Sequence, residues 1–350
     1  MSPKPLVTYV VPCFNEERCI GEFYRRVCEV AEQHTGHLFE FLFVNDGSQD
    51  ETQALLDGLA KEDRRVKVVH LARNRGHQLA VTAGLDYASG DVVVIIDADL
   101  QDPPELLSKM LAKLRDGYDI VHAQRRARKG ETVFKLTTAK LFYKLMKHLV
   151  GGDLVEDSGD FRAISRRALE AARGFREPHR FLRGMFASLG FHQAIVQYDR
   201  DERFADETKY PLGTMIRLAS NAVLSYSTVP IRGILWLAVT TWLISLVYLG
   251  KALYERMVLG ITVPGWTSMI VMLSLYAGLI LFCISIVGAY VARIFEQGQK
   301  RPMYWIQGVR NLDLSSFSEP RGESREVWLS SQILKHPVGL QIDDDRVDEA

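Results

Sequence analysis

Short apolar runs alternate with amphipathic stretches over residues 1–125, and this pattern predicts strands that alternate with helices. The runs VVVIID and FLFV are apolar throughout, which is typical of strands covered on both faces of a parallel sheet. The fold predicted for residues 1–210 is therefore α/β, with a mostly parallel sheet and crossover helices. The strand-like runs are, in chain order, LVTYVVP, FEFLFVND, VKVVHLA, VVVIID and DIVHAQ.

Two apolar segments follow this region. No charge lies between Gly233 and Gly250, and none lies between Arg256 and Arg293. Each segment is long enough to cross about 30 Å of hydrocarbon. Two buried helices of a soluble core are the alternative, which is disfavoured because core helices rarely run so far without a polar face. We predict a transmembrane hairpin, with helices at 231–254 and 266–292.

The flanks of this hairpin carry more cations than its loop. This bias predicts that the N-terminal α/β domain and both termini lie on the cytoplasmic side of the inner (plasma) membrane, in a multi-pass arrangement. The N-terminus lacks the apolar core of a secretory signal, which agrees with that orientation. Residues 211–230 are expected to form a juxtamembrane amphipathic segment, and residues 293–350 a polar cytoplasmic tail. The flanking cations are Lys209, Arg217, Arg232, Arg293, Lys300, Arg301 and Arg310, against Lys251 and Arg256 in the loop.

Composition removes some classes of function. Lys plus Arg and Asp plus Glu both total 43, so no global positive field indicates a nucleic-acid partner. The four cysteines show neither CxxC nor His/Cys spacing, which disfavours a disulfide framework and a zinc site. A reduced, cytosolic setting is expected for the polar region.

Polar and turn-forming residues follow several predicted strands, and the clearest group is DADLQDPPE after VVVIID. The carboxyl edge of an open α/β sheet is where ligands bind. There, Asp97 and Asp99 could hold Mg²⁺ or Mn²⁺ that a diphosphate already chelates. Aspartates also commonly follow strands as part of solvated loops, and a DxD pattern alone leaves that alternative open.

The motifs VVPCFNEE, VNDGSQDET, ARNRGHQLAVTAGLDYASGD and DADLQDPPELL together resemble family 2 glycosyltransferases of the GT-A (Rossmann-like) fold. More narrowly, they resemble polyprenyl-phosphate glycosyltransferases, the group of bactoprenol glucosyltransferases and dolichyl-phosphate mannose synthases. The resemblance continues through EDSGDFRAISRRAL and the two apolar segments.

The resemblance implies a role for individual residues. Asp97 and Asp99 would hold the metal ion. For Asn15 and Asp46 the alternative is capping of a helix or turn, and for Arg73 it is a solvated loop. The histidines, among them His77, show no ligand spacing and are interpreted as ordinary surface or core residues. The residues implied to bind the nucleotide sugar are Pro12, Asn15, Glu16, Asp46, Arg73, Asp97 and Gln101.

Asp157 is placed by the resemblance beside the reacting centre and, with Asp99, is the predicted catalytic pair. A general-base role stays open against an orienting role, because a phosphate monoester with a second pKa of about 6 is already largely dianionic at neutral pH. Arginine forks suit phosphate oxygens, although charge runs are also solvated faces. The cations predicted to contact the acceptor phosphate are Arg125, Arg128, Arg200, Arg203 and Lys209.

The function implied is transfer of one hexose from a nucleotide sugar, with UDP-glucose favoured, to a polyprenyl (undecaprenyl) phosphate, with inversion. Three alternative functions stay open: a dolichyl-phosphate-mannose-synthase-like transfer from GDP-mannose, a processive polysaccharide synthase, and a catalytically silent membrane scaffold. The synthase is disfavoured because the sequence has RFLRG at Arg180–Gly184 and no QxxRW. A homo-oligomer is expected, with a tetramer as one form.

Overall fold

The computed structural model describes residues 3–126, 158–177, 180–199, 229–258, 260, 265–299 and 301–312. These residues divide into two compact units. The first, which we call the sheet unit, takes its described residues from Met1–Tyr143, Gly152–Tyr210 and Pro302–Ala350. The second, the helix-pair unit, takes them from Pro211–Arg301.

The described part of the sheet unit contains one eight-stranded mixed sheet, in the order β7-β5-β6-β4-β1-β2-β3-β8. Strands β1, β2, β3 and β4 run parallel to one another, as do β5 and β7. Strand β6 runs antiparallel between β4 and β5, and β8 runs antiparallel along β3. The predicted α/β fold with a mostly parallel sheet is confirmed. The strands are β1 Leu6–Cys13, β2 Leu38–Asn45, β3 Val66–Leu71, β4 Val92–Ile95, β5 Ile120–Arg125, β6 Ser158–Ser165, β7 Gln193–Tyr198 and β8 Ile306–Arg310.

Helices cover both faces of the sheet. Helix α1 buries Ile20, Phe23 and Val27, whose three- and four-residue spacing puts them on one stripe against the sheet. Helix α3 packs on the opposite face, where Gly84 lies over Val10 of β1. The helices of this unit are α1 Ile20–Gln33, α2 Thr52–Glu62, α3 His77–Tyr87, α4 Leu107–Arg115, α5 Arg166–Arg173 and α6 Leu182–Ser188, with a 3₁₀ turn at Pro104–Leu106.

Part of the expected tail, 293–350, belongs to the sheet. Strand β8 pairs with β3, and the preceding Tyr304 is only 4% exposed, with its hydroxyl donating to Asp86 at 2.7 Å. The burial of Tyr304 and Ile306 supplies the apolar area that fixes this segment. The tail interpretation is corrected for these residues, and 313–350 lie outside the described part of the chain.

The helix-pair unit contains α7, Val229–Met257, and α8, Trp266–Gly298. Within them, Val229–Lys251 and Met272–Gly298 are long and apolar enough to cross a membrane. The hydroxyls of Ser245 and Tyr276 lie 2.6 Å apart and join the two helices. Both helices extend beyond the predicted bounds of 231–254 and 266–292. Most of the expected juxtamembrane segment, 211–228, is not described.

The packing of Gly84 against the sheet generates a test. A Cβ added at Gly84 would lie 2.2 Å from Cγ1 of Val10, whereas one added at Gly58 of α2 meets nothing within 4 Å. We expect Gly84→Ala to lower the free energy of unfolding by about 1–3 kcal/mol, because overpacking outweighs the better helix propensity of alanine. Gly58→Ala should leave it equal or higher. Denaturant unfolding of both variants decides this, and equal behaviour would contradict the packing.

Candidate active site

A cavity of about 320 Å³ opens at the carboxyl ends of β1, β2 and β4. Its wall also includes the loop after β3, through Asn74 and Gly76. The structure therefore brings together five of the residues that the sequence predicts for the donor and metal site. These are Pro12, Glu16, Asp46, Asp97 and Asp99.

Two of the loops around the cavity are tied to each other. The carboxylate of Asp46 accepts the backbone N–H of Arg75 at 2.7 Å and that of Gly76 at 2.8 Å. Gly47 has a φ of +68°, and a Cβ there would lie 2.7 Å from the backbone nitrogen of Asn74. Glycine is therefore required by both backbone conformation and close approach. Burial raises the pKa of Asp46, and the two N–H donors oppose that rise.

The remaining donor-site predictions lie beside the cavity. Asn15 adopts a φ of +57°, and its side-chain oxygen accepts the N–H of Gln49 at 2.8 Å, so the turn-capping alternative describes its contacts. Gln101 is buried and donates its backbone N–H to Asp99 at 3.1 Å. Arg73 is exposed in the loop after β3.

Glu16, Asp97 and Asp99 place three carboxylates around one cavity. Burial, followed by the charges of Asp99 and Asp97, raises the pKa of Glu16 to about 7. Burial also raises the pKa of Asp97 to about 6, against the opposing effect of His77. One oxygen of Asp97 is buried without a hydrogen-bond partner among the described residues. Burial is the main cause of both shifts, and the neighbouring carboxylates add to it.

This donor set fits a hard divalent cation. Carboxylate oxygens are the preferred ligands of Mg²⁺ and also suit Mn²⁺, and Oδ1 of Asp97 accepts no hydrogen bond from the described residues that would compete with such an ion. In the part of the chain that the structure describes, no three His, Cys, Asp or Glu side chains are arranged to hold an ion by themselves. A cation on Asp97 and Asp99 therefore requires additional oxygens from a ligand or water.

His77 is a site residue that the sequence interpretation missed. It lines the cavity, with Nε2 3.1 Å from Oδ2 of Asp160 and 3.7 Å from Oδ1 of Asp97. Desolvation alone would lower the pKa of His77, but Asp97 and Asp160 raise it to about 9. The imidazolium is thus a cation at neutral pH. Its position directly after the turn at Gly76, on the ligand edge of the sheet, was the available signal.

Asp160 is the centre of a buried charge cluster behind His77. Its carboxylate accepts from Arg162 at 3.3 Å and from Arg183 at 3.2 Å. The guanidinium of Arg162 is 1% exposed and lies over the ring of Phe186. The RFLRG stretch therefore contributes Arg183 to this cluster through the start of α6.

Of the predicted acceptor-phosphate cations, Arg125 is described. It ends β5, and its Nε donates to the hydroxyl of Tyr198 at 3.2 Å. The buried carboxylate of Asp102 accepts from the same hydroxyl and lies 3.6 Å from the Arg125 guanidinium. The remaining predicted residues, Arg128, Asp157, Arg200, Arg203 and Lys209, lie outside the described residues.

The Asp160 cluster generates a test of stability. Asp160→Asn leaves the buried Arg162 without its charge partner, and we expect the free energy of unfolding to fall by about 3 kcal/mol. Asp116→Asn is the control, since Asp116 is 59% exposed and 3.5 Å from Lys113, and should change it by less than about 0.5 kcal/mol. Denaturant unfolding at pH 7 provides both values.

The same cluster predicts a pH dependence. Burial alone would raise the pKa of Asp160, but Arg183, His77 and Arg162 lower it well below its usual value. A depressed carboxyl pKa stabilises the fold fully above the unfolded pKa of about 4, and this contribution is lost progressively as the pH falls from there through the lower folded pKa. The difference between wild type and Asp160→Asn should therefore shrink below pH 4. A difference that stays constant from pH 7 down to pH 2 would contradict the cluster.

The chain resembles known proteins in sequence and in fold. The model of the family described as Glycosyl transferase family 2 matches residues 8–173. The chain is 41% identical to "Uncharacterized glycosyltransferase YkcC" of Bacillus subtilis, over 87% of this chain and 95% of that protein. It is 34% identical to "Prophage bactoprenol glucosyl transferase homolog" of Escherichia coli, over 87% and 99%.

The solved structures that are similar to this chain include a glucosyl-3-phosphoglycerate synthase from Mycobacterium tuberculosis in complex with Mn²⁺, UDP and phosphoglyceric acid. It is 22% identical, with a TM-score of 0.41 over 63% of this chain and 76% of that chain. The relatives above 30% identity align with most of this chain, and the family match includes Glu16, Asp46, Asp97 and Asp99, which follow β1, β2 and β4. The chain therefore belongs to glycosyl transferase family 2, has the GT-A fold and is a glycosyltransferase.

Proposed function

We propose that this glycosyltransferase transfers a single hexose from a nucleotide sugar, with UDP-glucose as donor, to undecaprenyl phosphate at the cytoplasmic membrane face. The observation that carries the proposal is the convergence of Glu16, Asp97 and Asp99 on one cavity, in a chain that also has two exposed apolar helices. Relatives named bactoprenol glucosyl transferase support a lipid-carrier acceptor and a glucosyl donor.

The donor is proposed to occupy the cavity, whose volume falls in the range of small-molecule sites. Asp97 and Asp99 would hold Mg²⁺ or Mn²⁺, which when bound neutralises charge on the departing diphosphate. Pro12, Glu16 and Asp46 line the same cavity and are proposed to contact the nucleoside. The proposed donor contacts beside the cavity are Asn15, Arg73 and Gln101.

The proposed reaction is one in-line displacement. An oxygen of the lipid phosphate forms the new bond to the anomeric carbon, while the bond from that carbon to the nucleoside diphosphate breaks and its electron pair leaves with the diphosphate. The configuration inverts. The attacking monoester is largely dianionic at neutral pH, with a second pKa of about 6, so no proton has to be removed. Asp157 is accordingly proposed to orient the sugar or acceptor.

The acceptor phosphate is proposed to lie near the carboxyl end of β5. Arg125 is there, and β5 runs in the same direction as β4, so its carboxyl end is at the sheet edge of the cavity. Arginine binds phosphate oxygens bidentately, which favours this residue type for a lipid headgroup. The further cations proposed for this contact are Arg128, Arg200, Arg203 and Lys209.

Chain connectivity supports the proposed membrane topology. The chain leaves the sheet unit before α7 and re-enters it by β8, so the segments that precede and follow the helix-pair unit belong to one folded unit. If α7 and α8 span the membrane, they must cross it as a hairpin and return to the side of the catalytic domain. The cations that flank the hairpin support the cytoplasmic side. We also propose that the chain forms a homo-oligomer, with a tetramer as one form. Two helices alone give each chain only a small membrane anchor, and an oligomer would combine several.

Transfer itself is the first test of the proposal. The purified full chain with UDP-glucose, undecaprenyl phosphate and Mg²⁺ or Mn²⁺ should form a lipid-extractable glucoside, and a chelator should abolish it. Asp99→Asn should reduce turnover by on the order of 100-fold or more, because the leaving diphosphate loses its charge compensation. Asp116→Asn, far from the cavity, should retain turnover.

GDP-mannose in the same assay separates the donors. Preference for it would replace UDP-glucose by the mannosyl alternative. The absence of product from every common nucleotide sugar, or full turnover by Asp99→Asn, would contradict the proposal.

Topology is tested separately. A single cysteine at Gly260, in a chain without native cysteines, should react with a membrane-impermeant maleimide in intact cells, because the loop faces outward. A cysteine at Gln307 of β8 should react only after permeabilisation. Labelling of both sites, or neither, before permeabilisation would contradict a cytoplasmic hairpin.

A further inference from the structure

We propose that β8, the strand that follows the two apolar helices, positions the donor-nucleotide loops through a relay of hydrogen bonds whose centre, at His70 and Asn45, is buried, with Arg310 and Asp57 as positioning residues. This inference rests on the proposed function for the identity of the ligand. It adds that the segment after the hairpin is part of the donor site. The relay runs, in order, through Arg310, Asp57, His70, Asn45, Ser48 and Asn15.

Asp57 is the first link between β8 and the interior. Arg310 lies on β8 opposite Val68 of β3, and its guanidinium donates to Oδ2 of Asp57 at 3.0 Å. The other oxygen of Asp57 lies 3.0 Å from Nε2 of His70. One carboxylate of α2 therefore connects the cation of β8 to the histidine of β3.

His70 carries the relay across the sheet. Its side chain is 2% exposed, and its Nδ1 lies 3.1 Å from the side-chain amide nitrogen of Asn45, its neighbour on β2. The amide can only donate, so Nδ1 accepts and Nε2 carries the proton that Asp57 accepts. Burial lowers the pKa of His70, which agrees with a neutral ring. Each member of the chain thus fixes the orientation of the next.

Asn45 connects the relay to the two turns beside the cavity. Its side-chain oxygen accepts the N–H of Ser48 at 3.0 Å, and the Ser48 hydroxyl accepts the N–H of Asn15 at 3.0 Å. Asn15 in turn accepts the N–H of Gln49. The two turns held in this way contain, or directly precede, the cavity residues Asp46 and Glu16. Loss of Arg310 would therefore loosen a wall of the cavity without removing a group that touches the donor.

A second contact reaches the third loop of the site. The carbonyl of Trp305, just before β8, accepts the N–H of Ala72 at 2.8 Å. Ala72 begins the loop that continues to Asn74 and Gly76 in the cavity wall. The segment around β8 thus supports both the loop after β2, through the relay, and the loop after β3, directly.

Hydrogen exchange and UDP binding on the full chain test the relay. In Arg310→Gln, the amides of Ser48 and Gln49 should exchange about threefold to tenfold faster, and the Kd for UDP with Mn²⁺ should rise by a similar factor. The KM for the donor should follow the Kd, while kcat changes little. Arg310→Lys should recover part of both effects, and Asp57→Asn is a second variant if Arg310→Gln does not fold.

Arg65→Gln is the matched control. Arg65 pairs with Asp63 at 2.7 Å just before β3 begins, away from the carboxyl edge, and its side chain is exposed to a similar degree. It should leave exchange at Ser48 and the affinity for UDP unchanged, whatever its effect on Tm. Unchanged exchange in both Arg310→Gln and Asp57→Asn, or the same change in Arg65→Gln, would overturn the relay. Failure of wild type to bind UDP would instead refute the proposed donor, and exchange would still decide the relay.

Discussion

Burial of the Glu16 and Asp97 carboxylates beside Asp99, on one cavity, is the constraint on which the site depends. Burial and like charge raise the pKa values of Glu16 and Asp97, so the fold holds these groups together at a cost in free energy. Turns that are hydrogen-bonded to one another keep them in place, and the imidazolium of His77 offsets part of the charge. A divalent cation that binds together with a diphosphate would neutralise these carboxylates. The unfavourable charge of the cation-free site would thus favour binding of a nucleotide sugar.

The same edge of the sheet collects groups from distant parts of the chain. Asp160, from β6, anchors His77 on one side of Asp97, while Arg125 and Asp102 meet at the end of β5. Strand β8, which follows the helix pair in the chain, is the outermost strand of the sheet on the side of β3. The sheet that carries the cavity is therefore built from chain segments on both sides of the two apolar helices.

Sequence reasoning was most successful where the signal is local. The continuous apolar run before Asp97 and Asp99 identifies a buried strand and places both carboxylates at its end. Sequence analysis did not identify His77 as a site residue, because its charge depends on Asp160, which lies 83 positions further along the chain. Sequence analysis did not predict strand β8 either. Its five residues give little periodicity, and its partner strand, β3, precedes it by more than 200 residues. For Asn15, the structure shows the turn-capping contact, and its role as a donor ligand stays a prediction.

The central claim is that Asp97 and Asp99 present their oxygens to a cation shared with the donor diphosphate. A crystal or cryo-EM structure of the full chain with UDP and Mn²⁺ tests this most directly. The account predicts Mn²⁺ within coordination distance of at least one carboxylate oxygen of the pair and of the UDP diphosphate, identified in a crystal by its anomalous signal. UDP bound elsewhere, or Mn²⁺ bound away from both aspartates, would contradict it.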